Sequence, residues 1–268
     1  MADSWIADFH SGSEMFLPIR HFCEKLPECG WPSHETLNRL ACHVTNSSGL
    51  PIRFVKSSGE NYERRIHLEG EVHTREACWH DLFNALVWMR YPKAKSFLNL
   101  RHFEEMQKED GRRGKMRDIA TLFDESGVIV ASSNPSLSNM LRRFEWKSLF
   151  IDHRKRVKDE MRFYIFGHGL YEKALSPFVG LTGHAVLFPV EKSLFSLPLD
   201  EQIENLDSSF EGIFSEIATP LDLCPLPLLG VPGWAIENED PVYYDNESYF
   251  RRGRIRNCGK PGSAPLPK

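Results

Sequence analysis

Residues 79–99 (WHDLFNALVWMRYPKAKSFLN) constrain the fold more than any other segment of the chain. Apolar residues fall on nearly every side of its first turns, so we expect a largely buried helix that ends near Tyr91, before a proline. His80, Asp81 and Asn84 lie within about one turn of one another on one ridge of that helix. Burying an imidazole, a carboxylate and an amide is costly unless each finds a partner. The segment therefore predicts either a satisfied polar network or a functional site.

Composition places the chain among ordinary globular proteins, because 41% of its 268 residues are hydrophobic and 26% are charged. The length allows one large domain or two small ones. Since no linker is evident, we expect a single globular domain over residues 1–252 and a flexible tail over residues 253–268. A net charge of −4 gives no overall attraction to nucleic acid or to an anionic membrane.

Cysteine usage and the absence of targeting signals indicate the compartment. The six cysteines are scattered without a CxxC pair, which favours reduced thiols over a disulfide framework. The N-terminus lacks the basic and apolar regions of a secretory signal. No apolar run approaches the roughly 20 residues that span a bilayer. We therefore expect a cytoplasmic protein with no membrane association.

Helical periodicity and capping residues recur along the chain. A serine at position 33 is a plausible N-cap for the first of these helices, and Asn134 with the following proline begins another. The predicted helices, beyond the one already described, cover residues 33–44, 95–107, 134–150, 170–175 and 200–217.

The segments with strand-like patterns are shorter than the predicted helices. Residues 119–131 (IATLFDESGVIVA) carry two apolar runs around Asp-Glu-Ser-Gly, which predicts a β-hairpin. Residues 108–115 are expected to form a charged, mobile loop, and the proline-rich residues 220–234 an extended arm. The remaining predicted strands cover residues 50–55 and 63–68, around a turn at 57–61, and residues 161–166 and 184–190. The expected fold class is α+β, a single domain of interleaved helices and short strands with an extended Pro-rich C-terminal arm.

Five motifs occur in an order that resembles a known bacterial family. They are WHDLFNALVW at 79–88, LFDESGV at 122–128, FGHGLYEK at 166–173, PLPLLGVPGW at 225–234 and YYDNESYFR at 243–251. The family is catalogued as domain of unknown function 3025, and the resemblance covers roughly residues 37–251. It implies a soluble bacterial protein and carries no established activity, fold or cofactor. The family pattern G-x-V-P-T-R reads GEVHTR here, with His73 in place of the proline.

Two pairs of polar residues have a spacing that could hold a divalent metal. His80 and Asn84 are four residues apart, as are His168 and Glu172, so the members of each pair share a face of a helix. Their ligand types favour zinc, iron or manganese over calcium. The alternative is structural, since such groups also cap helices. The glycines on either side of His168 fit a tight strand-to-helix turn as well as a close backbone approach to another group.

Further charged residues could take part in the same site. Arg75, on the loop before the buried helix, could bind a phosphate or a carboxylate. Arg117 and Asp118 precede an apolar run, where Asp118 is either a carboxylate at a strand entrance or half of a salt bridge. Asp124 and Glu125 lie at the predicted hairpin tip, where turn chemistry is the simpler interpretation. The sequence has no P-loop, GxGxxG or GxSxG motif.

These residues are consistent with two functions, one enzymatic and one of binding alone. The first is a metal-assisted hydrolase that acts on an anionic substrate. Its residues would be His80, His168 and Glu172 as metal ligands, Asp118 or Asp81 as general base, and Arg75, Asn84 and Arg117 as substrate contacts. The second is a non-catalytic module that binds nucleic acid or protein through the basic residues 112–117, 153–158 and 251–256 and the C-terminal arm. Convergence of the polar motifs in space would favour the first.

Overall fold

The structure, a computed structural model, describes residues 4–57, 62–108 and 114–253. Its α-helices, in chain order, are α1 (Arg20–Cys23), α2 (His34–Leu40), α3 (Tyr62–Glu69), α4 (Trp79–Arg90), α5 (Pro92–Lys108), α6 (Lys115–Ser126), α7 (Pro135–Arg142), α8 (Arg154–Glu160), α9 (His168–Ala174) and α10 (Leu199–Phe214). Its β-strands are β1 (Arg53–Lys56), β2 (Glu71–Thr74), β3 (Gly127–Ser132), β4 (Met161–Ile165), β5 (Thr182–Pro189) and β6 (Cys224–Pro227).

The strands form two small sheets. The larger has the order β4-β3-β5-β6, in which β3 runs antiparallel to β4 and parallel to β5, and β6 runs antiparallel to β5. Every residue of β3 is buried, which agrees with its apolar sequence GVIVAS. The smaller sheet is the parallel pair of β1 and β2. Helices and short strands are thus interleaved, and the predicted α+β class is confirmed.

Helix α4 is buried along most of its length, as its apolar residues predicted. It ends at Arg90, because Pro92 restricts the backbone of the residue before it. The Phe83 ring stacks on Tyr171 of α9 with centroids 5.6 Å apart, and on Phe16 with centroids 6.0 Å apart. This aromatic contact fixes α4 against α9, the two helices that carry His80 and His168.

A second aromatic cluster fixes α6 against the end of β4. Phe123, Phe166 and Phe210 are fully buried, and the rings of the first two have centroids 4.9 Å apart. Phe123 directly precedes Asp124 in the sequence, and Phe166 lies two residues before His168. Truncating a buried phenylalanine costs about 3–5 kcal/mol, so these rings hold the adjacent polar residues firmly.

The strand predicted at residues 63–68 is wrong, because those residues lie in helix α3. Ile66 is the one apolar side chain of this segment that the structure buries, and three charged residues directly precede it. A single buried position fits both periodicities, so the pattern was ambiguous. The partner of β1 is instead β2, which begins immediately after Gly70. That glycine has a φ of +70° and closes the end of α3.

The hairpin predicted at residues 119–131 is also wrong. Residues up to Ser126 belong to α6, and only the second apolar run is a strand, β3. The buried residues Ile119, Ala120 and Phe123 have helical spacing. Asp-Glu-Ser-Gly forms the last turn of this helix and its junction with β3, although these residue types also favour turns.

Other predictions are confirmed with modest changes of boundary. Ser33 accepts a hydrogen bond from the Thr36 amide as the N-cap of α2, which ends earlier than predicted. Asn134 caps α7, which ends at Arg142 and is followed by a π-helical turn over Ser148–Asp152. Helices α5, α9 and α10 and strands β4 and β5 match their predicted segments closely.

The C-terminal arm is more regular than predicted. It contributes β6 to the edge of the larger sheet and short 3₁₀ turns on either side of that strand. Leu226 and Leu228 are fully buried, so the arm belongs to the core rather than lying over it. The predicted turn at 57–61, loop at 108–115 and tail at 253–268 lie largely outside the described residues.

The described part of the chain supports two further expectations. Its five cysteines are free thiols. None of its helices combines the length and the apolar composition that crossing a membrane requires.

Candidate metal centre

A cavity of about 370 Å³ opens beside α3, α4, α6 and the first turn of α9. Every residue that lines it has a polar or charged side chain. The residues that line it are Ser57, Tyr62, Glu63, His73, Arg75, His80, Asp81, Asn84, His102, Thr121, Asp124, Glu125 and His168. The cavity thus brings together five residues that the sequence had singled out from two distant segments.

Three of these side chains converge on one point. The Nε2 atoms of His80 and His168 are 3.1 Å apart, and Oε1 of Glu125 lies 3.7 Å from the first and 3.5 Å from the second. A tetrahedral zinc site with bonds of about 2.0–2.1 Å has edges of roughly 3.3 Å. The three atoms therefore have nearly the spacing of ligands around a single ion. Within the described ranges, this is the group of histidine, cysteine and acidic side chains close enough to hold a metal.

The second nitrogen of each imidazole faces a carboxylate. Nδ1 of His80 is 3.0 Å from Oε2 of Glu172, and Nδ1 of His168 is 3.7 Å from Oδ2 of Asp124. An ionised carboxylate only accepts hydrogen bonds, so Nδ1 of His80 donates to Glu172. The contact of His168 with Asp124 is longer than a hydrogen bond, and Nδ1 of His168 has no hydrogen-bond partner among the described residues. The 3.1 Å separation of the two Nε2 atoms is that of an N–H···N hydrogen bond, and with the ring proton of each histidine on Nδ1 the same atoms could hold a cation together with Glu125.

Two glycines allow this approach. A Cβ at position 167 would lie 2.5 Å from the backbone nitrogens of Ser126 and Gly127, so only glycine lets α9 begin so close to the end of α6. A Cβ at Gly169 would lie 2.8 Å from Oε2 of Glu125. The Gly-His-Gly motif therefore serves close backbone approach, one of the two interpretations that the sequence left open.

The electrostatics keep the carboxylates of the site ionised. The pKa of Glu125 is lowered, chiefly by its interaction with His168, against the opposing effect of burial. Burial, the largest single influence, raises the pKa of Asp124, but the charge and hydrogen bond of Lys95 together with the neighbouring His168 outweigh it, and the net shift is downward. The Lys95 ammonium lies 2.6 Å from Oδ1 of Asp124, and its side chain is only 4% exposed. An acidic pair next to two imidazoles gives the cavity a donor set suited to a divalent cation.

Asn84 joins this network at a different wall of the cavity. Its Oδ1 accepts a hydrogen bond from Nζ of Lys95 at 2.8 Å, and its Nδ2 donates to the Tyr62 hydroxyl at 2.7 Å. The amide that the sequence assigned to substrate contact is thus held by two other side chains, one of which, Tyr62, also lines the cavity.

Arg75 and Asp81 bind each other at the cavity wall. Both oxygens of Asp81 accept hydrogen bonds from the guanidinium, at 3.0 and 2.8 Å, and one also accepts from the Arg75 amide at 2.7 Å. Burial opposes ionisation of Asp81, but its contacts with Arg75 prevail and lower its pKa. Asp81 is thus the partner that positions Arg75, and its suggested role as general base stays a prediction. The Arg75 side chain remains 62% exposed.

Three other predicted site residues lie away from the point of convergence. Arg117 and Asp118 are on the first turn of α6, and neither is among the residues lining the cavity; both make interactions of their own. Glu172 contacts the outer nitrogen of His80, on the far side of the ring from His168. Glu125, rather than the predicted Glu172, is the carboxylate that lies near both Nε2 atoms.

Glu125 and Asp124 were considered from the sequence, but turn chemistry was the simpler explanation for both. The turn-like Asp-Glu-Ser-Gly string concealed them, since both were attributed to a hairpin tip. The helical spacing of Ile119, Ala120 and Phe123 was the available signal. In a helix that ends at Ser126, both carboxylates lie in the final turn, next to the glycines that begin α9.

The basic clusters are partly engaged inside the chain. Arg154 donates hydrogen bonds to the Asn238 side chain and backbone and forms an ion pair with Glu239. Arg156 lies 3.5 Å from Glu160. Residues 112–113 and 254–256 of the other two clusters lie outside the described residues.

Comparison with known proteins agrees with the motif resemblance. Searches of curated proteins and of solved structures gave no match. The match to a family described as a protein of unknown function (DUF3025) extends over residues 52–254, which include His80, Glu125 and His168 and the carboxylates behind the two histidines. The chain therefore belongs to the DUF3025 family.

Proposed function

We propose that the chain is a divalent-metal-dependent hydrolase whose ion is bound by His80, Glu125 and His168. The observation that carries this proposal is the convergence of two Nε2 atoms and one carboxylate oxygen, 3.1 to 3.7 Å apart, in the wall of a polar cavity. Two imidazoles and one carboxylate are a common ligand set of catalytic zinc sites, which keep a fourth position open for water.

The outer contacts of the ligands support a catalytic role. Histidine ligands usually donate their second ring N–H to a carboxylate, which fixes the tautomer and the orientation of the ring. Glu172 is positioned to do this for His80, and Asp124 faces Nδ1 of His168 at 3.7 Å, beyond hydrogen-bond distance. A bound zinc ion would lower the pKa of its water to about 7 and so supply hydroxide at neutral pH. With such a nucleophile no separate side-chain base is required.

The position of Arg75 supports the proposal that the substrate is anionic. Its guanidinium lies on the wall of the same cavity, is largely exposed, and is held in one orientation by Asp81. An arginine fixed in this way can contact a carboxylate or phosphate group on the substrate. A cavity of about 370 Å³ suits a small molecule better than a polymer.

Metal analysis tests the binding step. Protein purified without an affinity tag or chelator is expected to carry one zinc, iron or manganese ion per chain. His80→Ala, His168→Ala and Glu125→Ala should each lose it, whereas His43→Ala, which removes an exposed imidazole elsewhere, should retain it. Folded wild-type protein that neither contains nor takes up a stoichiometric ion would overturn the proposal.

The identity of the ion tests the reaction class. Zinc or manganese would support hydrolysis, and a panel of small anionic esters, amides and phosphate esters should then contain a substrate whose turnover stops with chelator and returns with metal. Iron(II) would instead indicate an oxygenase, because two histidines and one carboxylate also form the facial triad of non-haem iron oxygenases. Dioxygen consumption would then replace the hydrolase assay.

A further inference from the structure

A short chain of hydrogen bonds runs along the cavity wall from Lys95 through Asn84 to Tyr62. Nζ of Lys95 lies 2.8 Å from Oδ1 of Asn84, and Nδ2 of Asn84 lies 2.7 Å from the Tyr62 hydroxyl oxygen. The direction of each bond can be assigned from chemistry. An ammonium has only protons to donate, so the Asn84 atom facing Lys95 must be the carbonyl oxygen.

This assignment fixes the role of the tyrosine. With its oxygen turned to Lys95, Asn84 presents its NH₂ group to Tyr62 and donates to the phenol oxygen. Reversing the amide would bring its NH₂ group against the Lys95 ammonium, and Asp124 holds that ammonium in place at 2.6 Å. The Tyr62 oxygen is thus an acceptor in this bond, and its own proton is left for another partner.

A molecule bound in the cavity could accept the Tyr62 hydroxyl proton. Tyr62 lines the same cavity as His80, Glu125 and His168, and its hydroxyl donates to no acceptor among the residues described. Burial raises the pKa of Tyr62 well above its ordinary value, so the phenol remains protonated throughout the neutral range. A hydroxyl whose proton has no acceptor among the described residues, in the wall of the cavity that holds the proposed metal site, can serve as a preformed hydrogen-bond donor.

We propose that Tyr62 donates its hydroxyl proton to an oxygen of the substrate's reacting group, at the metal site formed by His80, Glu125 and His168. This inference rests on the proposed function. In a hydrolase such a donor stabilises the negative charge that develops on the carbonyl or phosphoryl oxygen. It selects substrates whose reacting group carries an acceptor oxygen, and Asn84 is the residue that orients the donor.

The test compares two small probes that bind zinc but differ in what they offer Tyr62. Acetohydroxamate presents acceptor oxygens, whereas imidazole binds through one nitrogen and presents only a donor at the other. In the zinc-loaded protein, Tyr62→Phe should weaken acetohydroxamate binding about fivefold to tenfold and leave imidazole binding within twofold. Zinc affinity itself should stay within threefold of wild type. Tyr243→Phe, which removes a hydroxyl elsewhere, should change neither probe.

The outcomes separate this inference from the proposed function. Wild-type protein that binds no zinc, or that binds zinc but not acetohydroxamate, would contradict the catalytic metal site itself, and Tyr62 with it. A zinc-loaded Tyr62→Phe variant that binds both probes as tightly as wild type would overturn the role of Tyr62 alone. An equal loss for both probes would do the same, because it would show a structural effect of the substitution.

Discussion

At the scale of the residue, the two nitrogens of each histidine have separate tasks. Nε2 of His80 points to the proposed metal position and Nδ1 to Glu172, whereas Nε2 of His168 points to the same position and its Nδ1 faces Asp124 at 3.7 Å. A ligand and an orienting carboxylate differ in what their removal costs. Loss of a ligand removes a bond to the ion, whereas loss of the orienting group leaves the bond and weakens it.

This division predicts unequal effects of two glutamate substitutions. Glu125→Ala should abolish tight zinc binding, whereas Glu172→Gln, which keeps the size of the side chain, should weaken it only about 10- to 100-fold. Competition with a chromophoric zinc chelator measures both affinities. Glu28→Gln, at an exposed position, serves as the control and should change nothing. Equal affinities for wild type and Glu172→Gln would contradict the assignment.

A second prediction concerns the glycine that faces Glu125. Gly169→Ala places a methyl group 2.8 Å from Oε2 of Glu125 and should displace this carboxylate, with at least a tenfold loss of zinc affinity. Gly212→Ala is the matched control, because a Cβ there meets nothing within 4 Å in α10. It should leave zinc affinity unchanged and stabilise the helix by about 0.5–1 kcal/mol. Unaltered zinc affinity in Gly169→Ala would show that Glu125 does not need its observed position.

At the scale of the element, a buried ion pair joins α5 to α6 behind the cavity. Lys95 and Asp124 are both shielded from solvent, and removing one partner of a buried pair costs about 3–5 kcal/mol. Lys95→Met should therefore lower the free energy of unfolding by about 3 kcal/mol in urea denaturation. Adding Asp124→Asn should recover part of this loss, since no unpaired charge remains. Lys173→Met, at an exposed site on α9, should have almost no effect, and a similarly small effect of Lys95→Met would contradict the buried pair.

The contact of α10 with the start of α5 predicts a dependence of stability on pH. Asp207 accepts hydrogen bonds from the amides of Lys93 and Ala94, yet burial raises its pKa from 3.8 to about 6. The folded state therefore keeps this proton at a higher pH than the unfolded chain does. The resulting stabilisation is fully present below pH 3.8 and is lost as the pH rises through about 6.

Asp207→Asn removes this titration. Between pH 4 and pH 7, wild type should lose up to about 3 kcal/mol of stability relative to the variant. Urea denaturation at several pH values measures the difference. Parallel pH profiles for the two proteins would mean that Asp207 titrates normally in the folded state.

Element type was predictable where one periodicity extended over a long segment. The apolar residues of α4 and α10 left no alternative to a helix, and the alternating or continuous apolar runs of β4 and β5 indicated strands. The segment around Ile66 offered one buried position and could not distinguish the two. Residues 119–131 mixed a helical first half with a strand, and the turn-forming residues between them favoured the wrong boundary.

At the scale of the whole molecule, the site depends on packing that no local pattern encodes. His80, Glu125 and His168 come from three segments separated by more than forty residues each. The sequence identified both histidines, because an imidazole in a buried helix and one between two glycines are unusual. It did not single out Glu125 as a ligand, since the approach of this carboxylate to both histidines depends on the packing of Phe123 against Phe166.

The distribution of basic residues over the molecule bears on the alternative function, a module that binds nucleic acid or protein. A nucleic-acid surface requires basic side chains that are available to phosphates. Arg154 and Arg156 instead form ion pairs with Glu239 and Glu160. The polar cavity gathers five of the residues that the sequence singled out for chemistry, whereas the described basic residues are partly neutralised. These observations favour the enzyme over the binding module.

The most direct test of the central claim is anomalous diffraction at the zinc edge from crystals grown with zinc. The account predicts one strong peak about 2.0–2.1 Å from Nε2 of His80, Nε2 of His168 and a carboxylate oxygen of Glu125. It also predicts that Glu172 contacts His80 and not the ion. No peak at this position in crystals exposed to excess zinc, or a peak held by Glu172 in place of Glu125, would contradict it.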